Sequence, residues 1–515
     1  MSRSNDSTLN PATIRRRLLC WGAITAAVYI AYLILFPLLP AIDQSKTVLD
    51  IEIILKNGRR WIALLYVLGL GVLFYSYWRM IQAVHALSRE NAEAANSLRK
   101  WILSFGVLCG LILIGLYPIT ALDVVLYVVR ARLWALYSAS PMTALPMNFP
   151  QDPFVTLAGE YAKQASPYGP LWELVAQIPM QLGITKIAGG VIAMKVIALL
   201  SYIGTAILIG WHAVQDSSKY SVSRLTALTF FALNPLVLLQ VIGNGHNDML
   251  MLCLMTLGLV LWQRDKWIWA TLALTLAVLI KVTGLILLPL FGMAVLVASP
   301  TWKDRIARGL SMVLIVSVTT LIAYRLTGPF PEVFDSTLHA ALGRLGFSPA
   351  YAIRVVLREV FPGNTPIINL PEPSLRNLFI LYYAYLLIKL VQKKMTLLEA
   401  GFLAYFSQLF LGSTFRIWYP LWLVPFAALN LNSRTYWRTF LFSITAELSI
   451  LSYYIVWRWF LRHWDWGENG PLKEYWDYWL VMTWLTVPWT FGIPVLGPWL
   501  RRRKDPHTFD TSLSI

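Results

Sequence analysis

Charge is what this sequence has little of. Only 13% of its 515 residues are Asp, Glu, Lys or Arg, while 57% are hydrophobic and the mean hydropathy is +0.59. A soluble domain of this size carries about twice that charge, so the water-soluble class is excluded. Cysteine is scarce too: Cys20, Cys109 and Cys253 all lie inside apolar runs. That placement excludes a disulfide framework and a cysteine metal cluster, and leaves small packing residues. Acids are outnumbered, 26 against 43 Lys and Arg, for a net charge of +17. The basic residues sit in short polar connections between apolar runs. They therefore set membrane orientation and meet anionic lipid heads rather than nucleic acid. There is no internal repeat and no separate soluble domain.

What the chain does have is long apolar runs. The first, LLCWGAITAAVYIAYLILFPLL (Leu18–Leu39), matches the thickness of a bilayer's hydrocarbon core. It follows Arg15, Arg16 and Arg17 as a signal peptide would, but it is too long and lacks a cleavage site, so a retained first span is expected. Further spans are expected near 61–79, 101–121, 188–211, 225–242, 248–263, 266–280, 282–299, 309–326, 375–391, 396–411, 416–430, 438–460 and 475–498. The fold class is thus all-α, a polytopic transmembrane helical bundle of about 13–14 spans. The whole of 1–515 reads as one transmembrane domain. Residues 1–100 form an N-terminal hairpin and cytoplasmic loop, 101–330 a core, and 331–515 an outer loop with C-terminal spans.

Orientation follows from the basic residues. With the N-terminus in the cytoplasm, Arg79, Arg89, Arg99, Lys100, Lys219, Arg224, Lys303, Arg305, Arg308, Lys393, Lys394, Arg434, Arg438 and Arg501 to Lys504 all fall inside. Lys56, Arg59 and Arg60 fall outside and disagree. This parity requires SPYGPLWELVAQIPMQLG (Ser166–Gly183), broken by Pro167, Pro170 and Pro179, to lie at the outer interface. The alternative, a short crossing helix, would put the later basic clusters outside. Residues 122–187 and 327–374 are then long outer loops, which in membrane proteins usually carry function.

Ionisable groups in or just outside a span are costly and invite a functional question. Asp123 follows the third span, with Tyr127 and Arg130 on its helical face and Arg132 further round. It reads either as an interfacial cap paired with Arg130 or as a catalytic acid. GNGHND (Gly243–Asp248) offers the tight turn that Asn and Gly favour. A turn alone does not need His246 and Asp248 as well, wedged between two apolar helices, and His246 with its tautomer fixed by Asp248 would donate to an anion. Lys281 stands among apolar residues with no acid nearby in sequence, either snorkelling or capturing a phosphate. In TFRIWYPLWLVPF (Thr414–Phe426), Arg416, Trp418 and Tyr419 are either an aromatic belt or part of a site.

In their order, LDVVLYVVRARLWAL, SPYGPLW, NPLVLLQVIGNGHND, LIKVTGLILLP and FRIWYPLW resemble the GT-C superfamily of membrane glycosyltransferases. The resemblance covers roughly 100–430 and is closest to the polyprenyl-phosphate-mannose-dependent α-mannosyltransferases of bacterial envelopes. It implies a GT-C-like core with a first catalytic loop at 122–187, extracytoplasmic loops forming the site, and Asp123 as the essential first-loop acid. It also implies that Tyr127, Arg132 and Tyr168 belong to the site, with 166–183 a juxtamembrane helix.

The implied reaction moves a sugar, mannose by resemblance, from a polyprenyl phosphate to an envelope glycolipid or glycan, inverting the anomeric centre. Asp123 would be the general base; His246, Lys281, Arg416 and Arg132 would meet the phosphate, with Asn244, Asn247, Asp248, Trp418 and Tyr419 around them. No cofactor is implied. Oligosaccharyltransferases, a sister branch, hold a metal with two first-loop acids, whereas Asp123 is followed by Val124 and Val125, so no metal is expected. HWDWG (His463–Gly467) resembles that branch's Trp-Trp-Asp-Tyr-Gly motif only by chance. Expected partners are membrane lipid, the lipid-linked donor and the acceptor, at a multi-pass site in the cytoplasmic membrane. The competing classes are a transporter or flippase of lipid-linked sugars, which usually shows repeats and mid-membrane polar groups, and a polymerase of lipid-linked oligosaccharides.

Overall fold

The computed structural model describes residues 11–39, 60–85, 92–212, 221–329, 331–332, 347–430, 432–450, 483 and 485–504. The loop with Lys56 and Arg59, Arg89, Lys219, most of the second outer loop and the HWDWG stretch fall outside them. Regular structure among the described residues is helical, apart from one bridge between Pro37 and Leu116. The polytopic helical class is therefore the architecture.

Helices α1 (Pro11–Leu35), α2 (Arg60–His85) and α3 (Ala92–Ile114) pack as an N-terminal group. The Pro37–Leu116 bridge, with Leu38 N donating to Gly115 O at 2.9 Å, brings the C-terminal ends of α1 and α3 to the same face. At that face the chain enters α4 (Asp123–Tyr137), then α5 (Pro170–Gln181) and α6 (Ile187–His212). Helix α5 has Pro170 in its first turn, where no N–H is needed, and Pro179 inside. Its 12 residues span about 18 Å, short of the roughly 30 Å hydrocarbon core.

Helix α7 (Ser221–Ala232) ends before Asn234-Pro235 and continues, bent by 48°, as a π-helix over Val237–Gly243. Proline has no N–H, so carbonyls of the last α7 turn need other donors. Tyr77 Oη donates to Phe230 O at 2.6 Å and Tyr202 Oη to Ala232 O at 2.7 Å. Beyond lie α8 (Asp248–Gln263), α9 (Trp267–Ile280), α10 (Leu288–Ala298), α11 (Trp302–Thr327), α12 (Pro371–Val391), α13 (Leu397–Leu411), α14 (Val424–Leu429), α15 (Ser433–Ile450) and α16 (Val487–Lys504).

The expected span count is not matched by length alone. Six described helices are long and apolar enough to cross, seven if the bent pair is one span. Asp248–Gln263, Trp267–Ile280, Val282–Ala298, Leu397–Leu411 and Tyr419–Leu429 are apolar but shorter. The reason is local. The helices around GNGHND, Lys281 and Trp418 stop early and hand over to the π-helix and to 3-10 turns at Val282–Ile286 and Tyr419–Leu423. Irregular backbone of this kind is tolerated in a membrane protein only where protein or a polar site covers it.

Candidate active site

Two close backbone approaches assemble the site. Gly169 N donates to Ile280 O at 3.0 Å, and a Cβ at Gly169 would lie 2.1 Å from Leu279 O. Only glycine lets SPYGPLW press so closely onto the end of α9, and this sets Tyr168 beside Lys281. Gly245, at φ +74°, turns GNGHND onto the first turn of α4, where a Cβ would meet Val124 at 2.7 Å. That contact sets His246 and Asp248 beside Asp123.

Asp123 and Asp248 each open a helix, where unpaired backbone N–H groups favour an acid. Tyr168 Oη donates to Asp123 Oδ1 at 2.6 Å. Tyr168 also lies in an aromatic cluster, edge-on to Tyr127 at 5.1 Å, which in turn is edge-on to Trp172 at 4.8 Å. Lys281, which has no acid near it in sequence, finds Asp248 across 33 positions: Nζ donates to Oδ1 at 2.9 Å and Oδ2 at 2.8 Å. Trp422 Nε1 donates to the same Oδ1 at 2.7 Å. The ammonium also lies 5.9 Å from the Tyr168 ring, 5.6 Å from Tyr419 and 6.0 Å from Trp422. Burial works against this charge, and the Asp248 carboxylate more than offsets it, holding Lys281 above its usual range.

His246 stacks on Trp418 with centroids 4.0 Å apart. Burial pushes its imidazole down to about 4, although Asp123 and Asp248 pull the other way. Asp248 does not fix the His246 tautomer by a hydrogen bond; its oxygens are taken by Lys281 and Trp422. Among the described residues, His246 Nε2, both amide atoms of Asn247 and Trp418 Nε1 are buried without a hydrogen-bond partner. Such atoms call for a ligand or a rearrangement. The exposed Arg416 acts electrostatically on Asp123, Tyr161, Tyr168 and Tyr419. The structure thus brings Asp123, Tyr127, Tyr168, His246, Asn247, Asp248, Lys281, Arg416, Trp418 and Tyr419 to one place.

Two arginines lie elsewhere. Arg132 Nε pairs with Asp152 Oδ2 at 2.8 Å, donates to Thr185 O, and covers the Phe154 ring at 4.8 Å. It braces the first loop instead of facing the acid. Arg130, the alternative partner for Asp123, donates to the carbonyls of Gln164 and Ala165 and lies near Glu173. Burial raises Glu173, which accepts from Ser166 Oγ at 2.5 Å. Asn244 turns away from the acid into a network with Thr120 and Gln240.

Sequence reasoning missed Trp422, Gln240, Glu447 and Lys195. Glu447 and Lys195 are ionisable residues inside apolar runs, the signal that should have found them. Lys195 is completely buried and donates to the carbonyls of Leu113 and Leu116 at the end of α3. A cavity of about 550 Å3 lies at the far end of α8, lined by Trp262, Val297, Lys393, Lys394 and Glu399 among others. One of about 210 Å3 lies between α10 and α11.

Alpha-(1->6)-mannopyranosyltransferase A of Corynebacterium glutamicum is 28% identical over 142 residues, 27% of this chain and 28% of that protein. The enzyme of the same name from Mycobacterium tuberculosis is 33% identical over 124 residues, 24% of this chain and 23% of that protein. Alpha-(1->6)-mannopyranosyltransferase B of Corynebacterium glutamicum is 26% identical over 283 residues, 50% of this chain and 45% of that protein. Each match spans less than half the relative's length. The family model "Alpha-(1->6)-mannopyranosyltransferase, N-terminal domain" matches residues 20–297, which include Asp123, Tyr168, His246, Asp248 and Lys281. That match covers more than half of the 515 residues, and the chain belongs to the alpha-(1->6)-mannopyranosyltransferase family.

Proposed function

We propose that this protein transfers mannose from a polyprenyl-phosphate donor to an envelope glycolipid or glycan, with inversion, at the outer face of the cytoplasmic membrane. One observation carries the chemistry: Tyr168 joins the acid to the cation, its hydroxyl on Asp123 and its ring against Lys281. An acceptor hydroxyl bound beside Asp123 attacks the anomeric carbon and gives its proton to the carboxylate. The bond from the anomeric carbon to the phosphate oxygen breaks, and its electron pair leaves with the polyprenyl phosphate. A phosphate is a fair leaving group and needs no strong acid, but its growing charge needs fixed cations. Lys281 spends two of its three N–H groups on Asp248, leaving one for the phosphate, and Arg416 faces the same space. The unpaired His246 Nε2 and Asn247 amide supply further donors. The reading invokes no metal: Asp123 has Val124 and Val125 beside it in sequence, and the site's second carboxylate, Asp248, is taken up by Lys281 and Trp422.

Purified protein is incubated with radiolabelled polyprenyl-phosphate mannose, glucose or arabinose and membrane acceptors, beside GDP-mannose without a lipid carrier. Label should move from polyprenyl-phosphate mannose alone. Efficient use of GDP-mannose contradicts the lipid donor, and movement of intact lipid-linked sugar without transfer favours the transporter class.

A further inference from the structure

Gln240 and Glu447 are completely buried, one in the π-helix and one on α15. Gln240 Nε2 donates to Glu447 Oε1 at 2.7 Å. Gln240 Oε1 accepts from Asn244 Nδ2 at 2.7 Å, and Asn244 Nδ2 also donates to Thr120 Oγ1 at 2.6 Å. Thr120 N donates to Asn244 Oδ1 at 3.5 Å. The chain of bonds runs from the bundle interior to the two loops of the site. Asn244 belongs to GNGHND, and Thr120 stands three residues before Asp123.

An acid, two amides and a hydroxyl in an apolar interior are costly, and aliphatic residues would fill the same space without that penalty. Amides do not pass protons along as imidazoles or carboxylic acids do, so the chain is not a proton relay. It carries direction instead. Glu447 Oε1 accepts from Gln240 Nε2, so the Gln240 amide presents its Nε2 to Glu447 and its Oε1 to Asn244. That in turn points Asn244 Nδ2 at Thr120 and fixes the amide's orientation between the two loops.

We propose that Glu447 is a positioning residue: acting through Gln240 and Asn244, it locks the GNGHND loop against the turn that presents Asp123. The consequence for transfer rests on the reading of Asp123 as base; the consequence for the loops does not. Glu447 touches no substrate.

The test compares full-length wild type with Glu447→Gln, Glu447→Leu and Thr120→Val. Hydrogen–deuterium exchange is read without substrate over 117–123 and 243–248, together with melting temperature, kcat and KM. Glu447→Leu is expected to raise exchange in those two stretches alone and to lower kcat about tenfold or more, with KM within about twofold. Glu447→Gln keeps an acceptor for Gln240 and should restore most of kcat. Thr120→Val, a near-isosteric cut of the hydroxyl's bonds to both Asn244 and Gln240, should give the same exchange pattern, and it decides the matter where Glu447→Leu fails to fold. Exchange rising throughout the bundle, or unchanged loops with wild-type kcat, overturns the proposal. If wild type transfers no sugar while the two loops alone loosen, the positioning role stands and the transferase reading falls.

Discussion

Replacing Asp123 by Asn changes one atom of the site and separates its chemistry from its packing. The Asn carbonyl can still accept the Tyr168 hydroxyl, which lies 2.6 Å from Oδ1 in the native site. What goes is the charge in that bond. Charge-assisted hydrogen bonds contribute about 1.5–3 kcal/mol and neutral ones about 0.5–1.5, so the loss of stability should be near 1 kcal/mol. A base that no longer accepts a proton should lower turnover by about 10²–10⁴. At about 1.4 kcal/mol per decade, that is roughly 3–5 kcal/mol in the barrier. The two effects differ in size and in kind, so one cannot pass for the other. The assay is mannose transfer from polyprenyl-phosphate mannose by purified protein, with donor binding and melting temperature measured on the same samples. The Asp123→Asn variant should melt within a few degrees of wild type, bind donor and transfer almost nothing. Retention of more than about a tenth of wild-type turnover would refute Asp123 as base. Asp248 would be the next carboxylate in line, but its oxygens are already held by Lys281 and Trp422. A catalytic role there would require that pair to open, and the transporter class would regain ground.

Lys281→Ala leaves the Asp248 carboxylate buried with Trp422 as its remaining partner, and should destabilise the fold by about 3–5 kcal/mol while weakening both donor binding and turnover. The double variant Lys281→Met with Asp248→Leu should recover melting temperature but not transfer, which separates the two roles. Gly245→Ala must hold φ +74° and push Val124 aside; a loss of at least about 1–2 kcal/mol in chemical denaturation is expected from the backbone alone. His246 folds as the neutral imidazole, lowered from 6.5 to about 4, so the unfolded chain binds its proton first. Its contribution to stability is full above about 6.5 and is lost as pH falls through about 4, and His246→Gln should flatten that part of a stability–pH curve.

Much of the site was legible in sequence because ionisable residues stand out against apolar runs. Asp123, His246, Asp248, Lys281 and Arg416 stand out that way, and the structure gathers them in one place. The pairing was not legible. Lys281 and Asp248 are 33 positions apart, and only the close approaches at Gly169 and Gly245 reveal that they meet. Arg132 was misplaced because a family-like spacing says nothing about Asp152, which claims it from within the first loop. Glu447 was overlooked for the opposite reason. It sits deep in an expected span, far in sequence from the polar segments, and only the fold brings it to Gln240. Helix lengths were overestimated where continuous apolar sequence hides a change to π or 3-10 backbone, as at Val237–Gly243 and Tyr419–Leu423.

The pairing of Lys281 with Asp248 has an electrical consequence for the proposed reaction. Asp123, Asp248, Lys281 and Arg416 sum to zero before any donor arrives, and a phosphodiester brings one negative charge. When the acceptor's proton moves to Asp123, that carboxylate becomes neutral as the departing phosphate gains a second charge. The pocket's total charge does not change during transfer; its electric moment swings from the α4 end toward Lys281. In a poorly polarisable surrounding, displacing an existing charge between fixed groups is far easier than creating one. The proposed transfer then amounts to moving one charge between groups already fixed at the two ends of the site.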